Sequence, residues 1–164
     1  MRTIERESLT SESYVGFGDV IAANERSSRP ANQGTAQKSE RLAELVEDRS
    51  ARANVSVFRC TPRALPHLVT LLEKHPASTQ VFVPMNAERY LVIVALGDHE
   101  PDLTTLRAFE ANGLQAISYR PGVWHHPMVA LDHETDFFCL VYEDGTSRDC
   151  VEHAIPPNEQ ITIR

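Results

Sequence analysis

Tyr119-Arg120-Pro121-Gly122-Val123-Trp124-His125-His126-Pro127 is the stretch on which the fold turns. It gathers two adjacent histidines, the one tryptophan of the chain, a Pro-Gly pair and a closing proline. Pro-Gly marks a tight turn. Ala116-Ile117-Ser118-Tyr119 before it and Met128-Val129-Ala130-Leu131 after it read as strands. Successive side chains of an extended segment point to opposite faces, so one histidine of the pair can enter an interior while its neighbour cannot.

Outward from this corner the same pattern repeats. Val55 to Cys60, Gln80 to Pro84, Arg89 to Leu96, Leu106 to Phe109, Thr135 to Glu143 and Cys150 to Ile155 are short runs rich in β-branched and aromatic residues. Asn112-Gly113 and Asp144-Gly145 supply turns. About eight short strands at a spacing near ten residues predict a mainly β protein, an antiparallel sandwich or barrel with a few short helices. The segment Leu9 to Gly18 opens like a short helix capped by Thr10 or Ser11. Asn24 to Gln37 reads as loop or irregular extended chain. From Lys38 to Asp48, Leu42, Leu45 and Val46 recur at helical spacing, and periodicity alone predicts a helix. Leu68 to His75 is ambiguous, because Pro76 disfavours a helical conformation at His75. No repeat or linker divides the chain, and a single domain over residues 1–164 is expected.

Composition sets limits on function. Sixteen basic and 23 acidic side chains give a net charge of −7, which argues against a nucleic-acid surface or a polybasic membrane contact. A small anionic substrate remains compatible, because local cations can dominate a pocket. Three cysteines without C-x-x-C spacing argue against a disulfide framework or a zinc ribbon. The charged stretch Met1 to Glu7 lacks an apolar core, so no signal peptide is expected, and the apolar run Tyr90 to Leu96 is too short to span a bilayer. A cytoplasmic protein is the expectation.

Two constellations could carry chemistry. His75, Gln80 and His125 can converge on one interior face, where two imidazoles and an amide suit a borderline divalent metal or serve as base and hydrogen-bond donor. A buried polar network without a catalytic task would look the same in sequence. Arg59 lies at the end of a strand, and an inward arginine there would need an anion to meet it. Arg107 and Arg120 read as edge arginines facing water. No nucleophile elbow, Walker loop, dinucleotide fingerprint or His-Glu-x-x-His is present.

Gly122-Val123-Trp124-His125-His126-Pro127 resembles the signature of the ureidoglycolate lyase family, cupin-fold enzymes of allantoin breakdown. Agreement extends through Gly16-Phe17-Gly18-Asp19-Val20-Ile21, Asn32-Gln33-Gly34-Thr35-Ala36, Glu73-Lys74-His75-Pro76 and Gln80-Val81-Phe82-Val83-Pro84-Met85. It continues through Val94 to Asp98, Pro101 to Leu103 and Thr105 to Phe109, and covers roughly residues 9 to 155. The resemblance implies a cupin-like double-stranded β-helix, a homodimer, cleavage of ureidoglycolate to glyoxylate and urea, and a divalent metal, nickel in particular. It implies metal ligation by His75, Gln80 and His125, with glutamine standing where cupins usually carry an acidic ligand. Lys38, Ser39 and Glu40 depart from the family's usual basic, aromatic and histidine residues, and the resemblance makes Lys38 to Val46 extended. On this footing His125 and His75 are the expected catalytic residues, and Arg59, Lys38, Asn32, Gln80 and Trp124 the expected substrate contacts. The rival readings are a hydrolase releasing ammonia and a non-enzymatic cupin that binds a small carboxylate.

Overall fold

The structure is a computed structural model that describes residues 2–24, 28–47 and 51–164. Two large sheets face each other. The five-stranded sheet runs in space as β3 (Val20–Ile21), β12 (Ala116–Tyr119), β9 (Gln80–Pro84), β15 (Thr135–Glu143) and β6 (Arg52–Cys60). The seven-stranded sheet runs as β16 (Val151–Ala154), β8 (Leu71–Lys74), β13 (Trp124–His125), β10 (Arg89–Leu96), β11 (Asp102–Asn112) and β2 (Glu7–Ser8), with β14 (Val129–Ala130) also paired to β10. A small sheet of β1 (Arg2–Ile4), β17 (Ile161–Ile163) and β7 (His67–Val69) forms a third layer. The architecture is mainly β, two large facing sheets with a small third layer.

The middle sheet is buried on both sides, and β10 shows how. Tyr90, Val92 and Val94 pack with Phe82, Ile117, Tyr119, Phe137 and Cys139 of the five-stranded sheet. Leu91, Ile93 and Ala95 pack with Val69, Ile161 and Ile163 of the outer sheet. Both alternating sets leave water, so the strand reads in sequence as an unbroken apolar run. Burial of such side chains contributes roughly 1.5–3 kcal/mol each.

Thr10 caps the short helix α1 (Ser11–Tyr14) through a reciprocal hydrogen-bond pair with Ser13. Gly18, beyond that helix, has no room for a side chain: a Cβ there would lie 1.8 Å from the Ser118 carbonyl oxygen. Gly18→Ala should therefore destabilise the fold by about 2–4 kcal/mol, read as a lowered denaturation midpoint at unchanged slope.

The helix that periodicity suggests for Lys38 to Asp48 does not form among the described residues, which end at Glu47 in this segment. Ala36–Ser39 is instead strand β5, and residues 40–47 carry no regular structure. Leu45 and Val46 remain 45% and 42% exposed, so no apolar face rewards a helix here. The backbone bonds elsewhere: the Val46 N–H donates to Thr79 Oγ1 and the Thr79 N–H to the Val46 carbonyl, each at 2.9 Å. The irregular chain expected for Asn24 to Gln37 contains a hairpin, β4 (Ser28–Ala31) paired with β5; residues 25–27 lie outside the described residues. Its turn uses Asn32 and Gln33 at φ +51° and +59°, polar residues that tolerate the left-handed region.

Leu68 to His75 resolves into two strands in different sheets, β7 in the outer layer and β8 in the middle one. Arg59 points outward, because its neighbour Phe58 turns toward Phe82 (ring centroids 5.5 Å apart) and alternation sends the next side chain the other way. Its guanidinium grips Asp136 with two hydrogen bonds of 2.8 and 2.9 Å at an exposed position. The anion expected for it is thus an aspartate of the neighbouring strand, met in solvent. All three cysteines are free thiols, Cys139 buried and Cys60 and Cys150 partly so.

Candidate active site and metal centre

The Pro121-Gly122 turn carries the chain from one large sheet to the other. Tyr119 ends β12 in the five-stranded sheet and His125 ends β13 in the middle one. Gly122 takes φ +80°, the left-handed region where glycine is favoured, and its N–H donates to the His75 carbonyl at 2.9 Å. The corner therefore ties the two histidine segments together through the backbone.

Strand register does the rest. β13 lies between β10 and β8, with His125 directly opposite Glu73. His75 is two residues beyond Glu73 and falls on the same face. One ligand atom each from Glu73, His75 and His125 lies within 4.8 Å of the others. The two imidazoles stack with centroids 5.7 Å apart, and the Tyr119 ring lies flat on His125 at 4.0 Å.

The tautomers follow from the backbone. His75 Nδ1 is 2.8 Å from the Asp149 carbonyl and His125 Nδ1 is 3.0 Å from the Val123 carbonyl. A carbonyl oxygen can only accept, so each Nδ1 carries the hydrogen and each neutral ring presents a lone pair at Nε2. Both Nε2 atoms are buried without a hydrogen-bond partner. Glu73 Oε1 stands 3.6 Å from His125 Nε2. Two aimed lone pairs and a carboxylate are a donor set that a divalent cation completes, with the second ring nitrogen of each histidine fixed by a carbonyl as metal-binding histidines require. The residues present fit a metal.

Electrostatics favour a positive charge beside Glu73. Burial pushes against ionisation of Glu73, yet the facing His125 ring in its protonated form, with His75 and His126 further off, outweighs it and holds the carboxyl below its usual value, and a cation in the cluster would act in the same direction. His75 is lowered by burial first and by the neighbouring His125 second, which keeps its lone pair available at neutral pH.

The remaining expected site residues are placed as follows. Gln80 is 4% exposed, opposite Tyr119 in the β9–β12 ladder, and its Oε1 has no partner. Trp124 faces away from His125 into the outer core, under the Lys74 ammonium at 4.5 Å. Lys38 is paired with Glu40 at 2.7 Å on the exposed hairpin, and Asn32 lies in its exposed turn. Neither Glu73 nor Tyr119 is among the residues expected from sequence. The signal for Glu73 is its spacing: an acidic side chain two residues before His75 shares the histidine's face in any strand.

A cleft of about 800 Å³ adjoins the site without including the triad. Pro76, Pro121 and Asp149 contribute to its wall, so it borders the segments that hold His75. Its charged lining is Glu47, Asp144, Asp149 and Arg148, and Arg148 is tied to Asp144 at 3.0 Å.

A family profile described as ureidoglycolate lyase matches residues 1–163. The chain belongs to the ureidoglycolate lyase family. Proteins named ureidoglycolate lyase from Salmonella paratyphi B and Salmonella typhimurium are 43% identical to it over 151 residues, 92% of this chain and 93% of theirs. The one from Salmonella enteritidis is 42% identical over the same share. Among solved structures it is similar to NovW, a 4-keto-6-deoxy sugar epimerase from Streptomyces spheroides, at 16% identity and a TM-score of 0.48 over 87% of this chain and 71% of that one. A mutant of the 3,4-ketoisomerase QdtA from Thermoanaerobacterium thermosaccharolyticum aligns at 13% identity and a TM-score of 0.47, over 80% of this chain and 84% of that one. Ureidoglycolate lyase activity is thus the chain's function, and Glu73, His75 and His125 form a candidate metal-binding triad. No helix among the described residues is long and apolar enough to cross a membrane.

Proposed function

We propose that this lyase splits ureidoglycolate into glyoxylate and urea at the Glu73–His75–His125 cluster, as a cytoplasmic homodimer serving allantoin breakdown. The observation that carries the site is the pair of buried, unpartnered Nε2 atoms facing one carboxylate. Three free thiols are in keeping with a reducing compartment.

The substrate carbon bears a carboxylate, a hydroxyl and a urea nitrogen. Cleavage removes the hydroxyl proton, forms the carbonyl, breaks the C–N bond and returns a proton to the departing nitrogen. No water is consumed. With no ion in the cluster, His125 Nε2 accepts the hydroxyl proton and passes it to the urea nitrogen, while the Glu73 carboxylate steadies the imidazolium formed between the two transfers. His75 and Tyr119 hold the ring in place, one beside it and one flat against it. In the alternative, Glu73, His75 and His125 would together hold a divalent metal, nickel by resemblance; His125 Nε2 would then be a ligand instead of the base, and the ion would supply the acidification of the hydroxyl and balance the substrate's carboxylate. Arg59 and Lys38 stay outside this reading, because each already meets a carboxylate at the surface.

The test is incubation with ureidoglycolate, with and without chelator, while glyoxylate, urea and ammonia are followed. Equal glyoxylate and urea without ammonia is the expected outcome, with activity lost on chelation and restored by nickel. Ammonia in place of urea would establish the hydrolytic reading, and binding without turnover the non-enzymatic one. Full activity after complete metal removal would leave His125 acting as base without an ion.

A further inference from the structure

The residue beside His125 is engaged on the opposite side of the middle sheet. His126 follows β13, and its N–H donates to the Ile93 carbonyl of β10 at 2.9 Å. Its ring meets that of His67, which belongs to β7 in the outer sheet: the centroids lie 4.9 Å apart with the planes perpendicular, and the two Nε2 atoms are 3.4 Å apart. His126 Nδ1 is 2.7 Å from the Pro127 carbonyl and so carries the hydrogen, which leaves a lone pair on Nε2 directed at His67.

A direct hydrogen bond between the rings would have to come from His67, and 3.4 Å is beyond the usual 2.7–3.2 Å of such a bond. The same separation suits another arrangement. An ion bound tetrahedrally at about 2.0–2.1 Å from each of two imidazole nitrogens holds them about 3.4 Å apart. We propose that His67 and His126 form a second divalent-cation site, on the far side of β13 from the Glu73–His75–His125 cluster, which takes zinc with water completing the shell. Zinc suits two neutral imidazoles and a tetrahedral shell better than magnesium or calcium, which favour oxygen donors. An ion there clips the outer three-stranded sheet to the middle sheet, since its ligands come from β7 and from the end of β13.

Zinc titration of the metal-free protein by calorimetry, followed by thermal melting, tests this. The wild type should bind two equivalents. His75→Ala should retain the outer equivalent and still melt at a higher temperature with zinc. In the His67→Ala and His67→Gln variants the second equivalent should weaken at least about tenfold and the inner one remain. His67→Gln keeps a polar side chain of similar reach should the alanine variant fail to fold. A single equivalent in the wild type that disappears in His75→Ala would show the two rings to be a hydrogen-bonded pair and overturn the proposal. So would a second equivalent that persists unchanged in a folded His67 variant, because the zinc would then sit elsewhere.

Discussion

Replacing His125 by alanine should lower the release of glyoxylate and urea by at least about 100-fold, the range expected when a general base is lost. The ring is 1% exposed and stacked on Tyr119, so truncation also leaves a cavity and should cost a few degrees of melting temperature. His125→Asn separates the two effects. An asparagine amide can still donate to the Val123 carbonyl in place of Nδ1, and the atom lost is Nε2. Both variants should bind the chelatable metal weakly and turn over slowly, with far-ultraviolet circular dichroism unchanged. Near-normal turnover in either folded variant would remove His125 from the mechanism.

Glu73→Gln is the second large effect. It preserves the shape of a side chain set opposite His125 in the ladder and deletes its charge. Two imidazoles and an amide hold a divalent ion less well than two imidazoles and a carboxylate, so nickel affinity should fall at least about 100-fold, with turnover falling alongside it. Metal retention measured by equilibrium dialysis, beside the urea assay, reads both. A variant with unchanged nickel affinity would show that the carboxylate is a bystander to the ion. Unchanged affinity with lost turnover would instead make Glu73 a partner in proton transfer only.

Much of the site is legible in the chain before any fold is known. His75 and His125 stand out because each follows or precedes a proline-marked corner of a strand, and two-residue alternation already says that His125 and His126 must part company. Glu73 is harder to find. A carboxylate between Leu72 and Lys74 looks like an ordinary polar residue of a half-buried strand until β8 is known to pair with β13 in the register that sets it against His125. Arg59 shows the opposite error. A cation at the end of an apolar strand invites an interior anion, but its partner, Asp136, lies across the ladder on the outer face.

The Lys38 to Val46 segment teaches a related lesson. Leu42, Leu45 and Val46 have helical spacing, yet spacing stabilises a helix only when the stripe meets a core, and Leu45 and Val46 stay exposed. The β5 strand and the Thr79 anchor win because each gives the backbone a partner where the periodic stripe has none.

By itself the sequence determined the β architecture, the corner at Pro121-Gly122 and the pair of histidines worth following, since alternation, turn chemistry and family motifs are local properties of the chain. Tertiary structure alone decided which groups meet. Strand register brought Glu73 to His125, burial of both faces of β10 separated Trp124 and His126 from the cluster, and carbonyls distant in the chain chose the tautomer of His75. Those outcomes depend on pairings between segments far apart in sequence, and no local pattern encodes them.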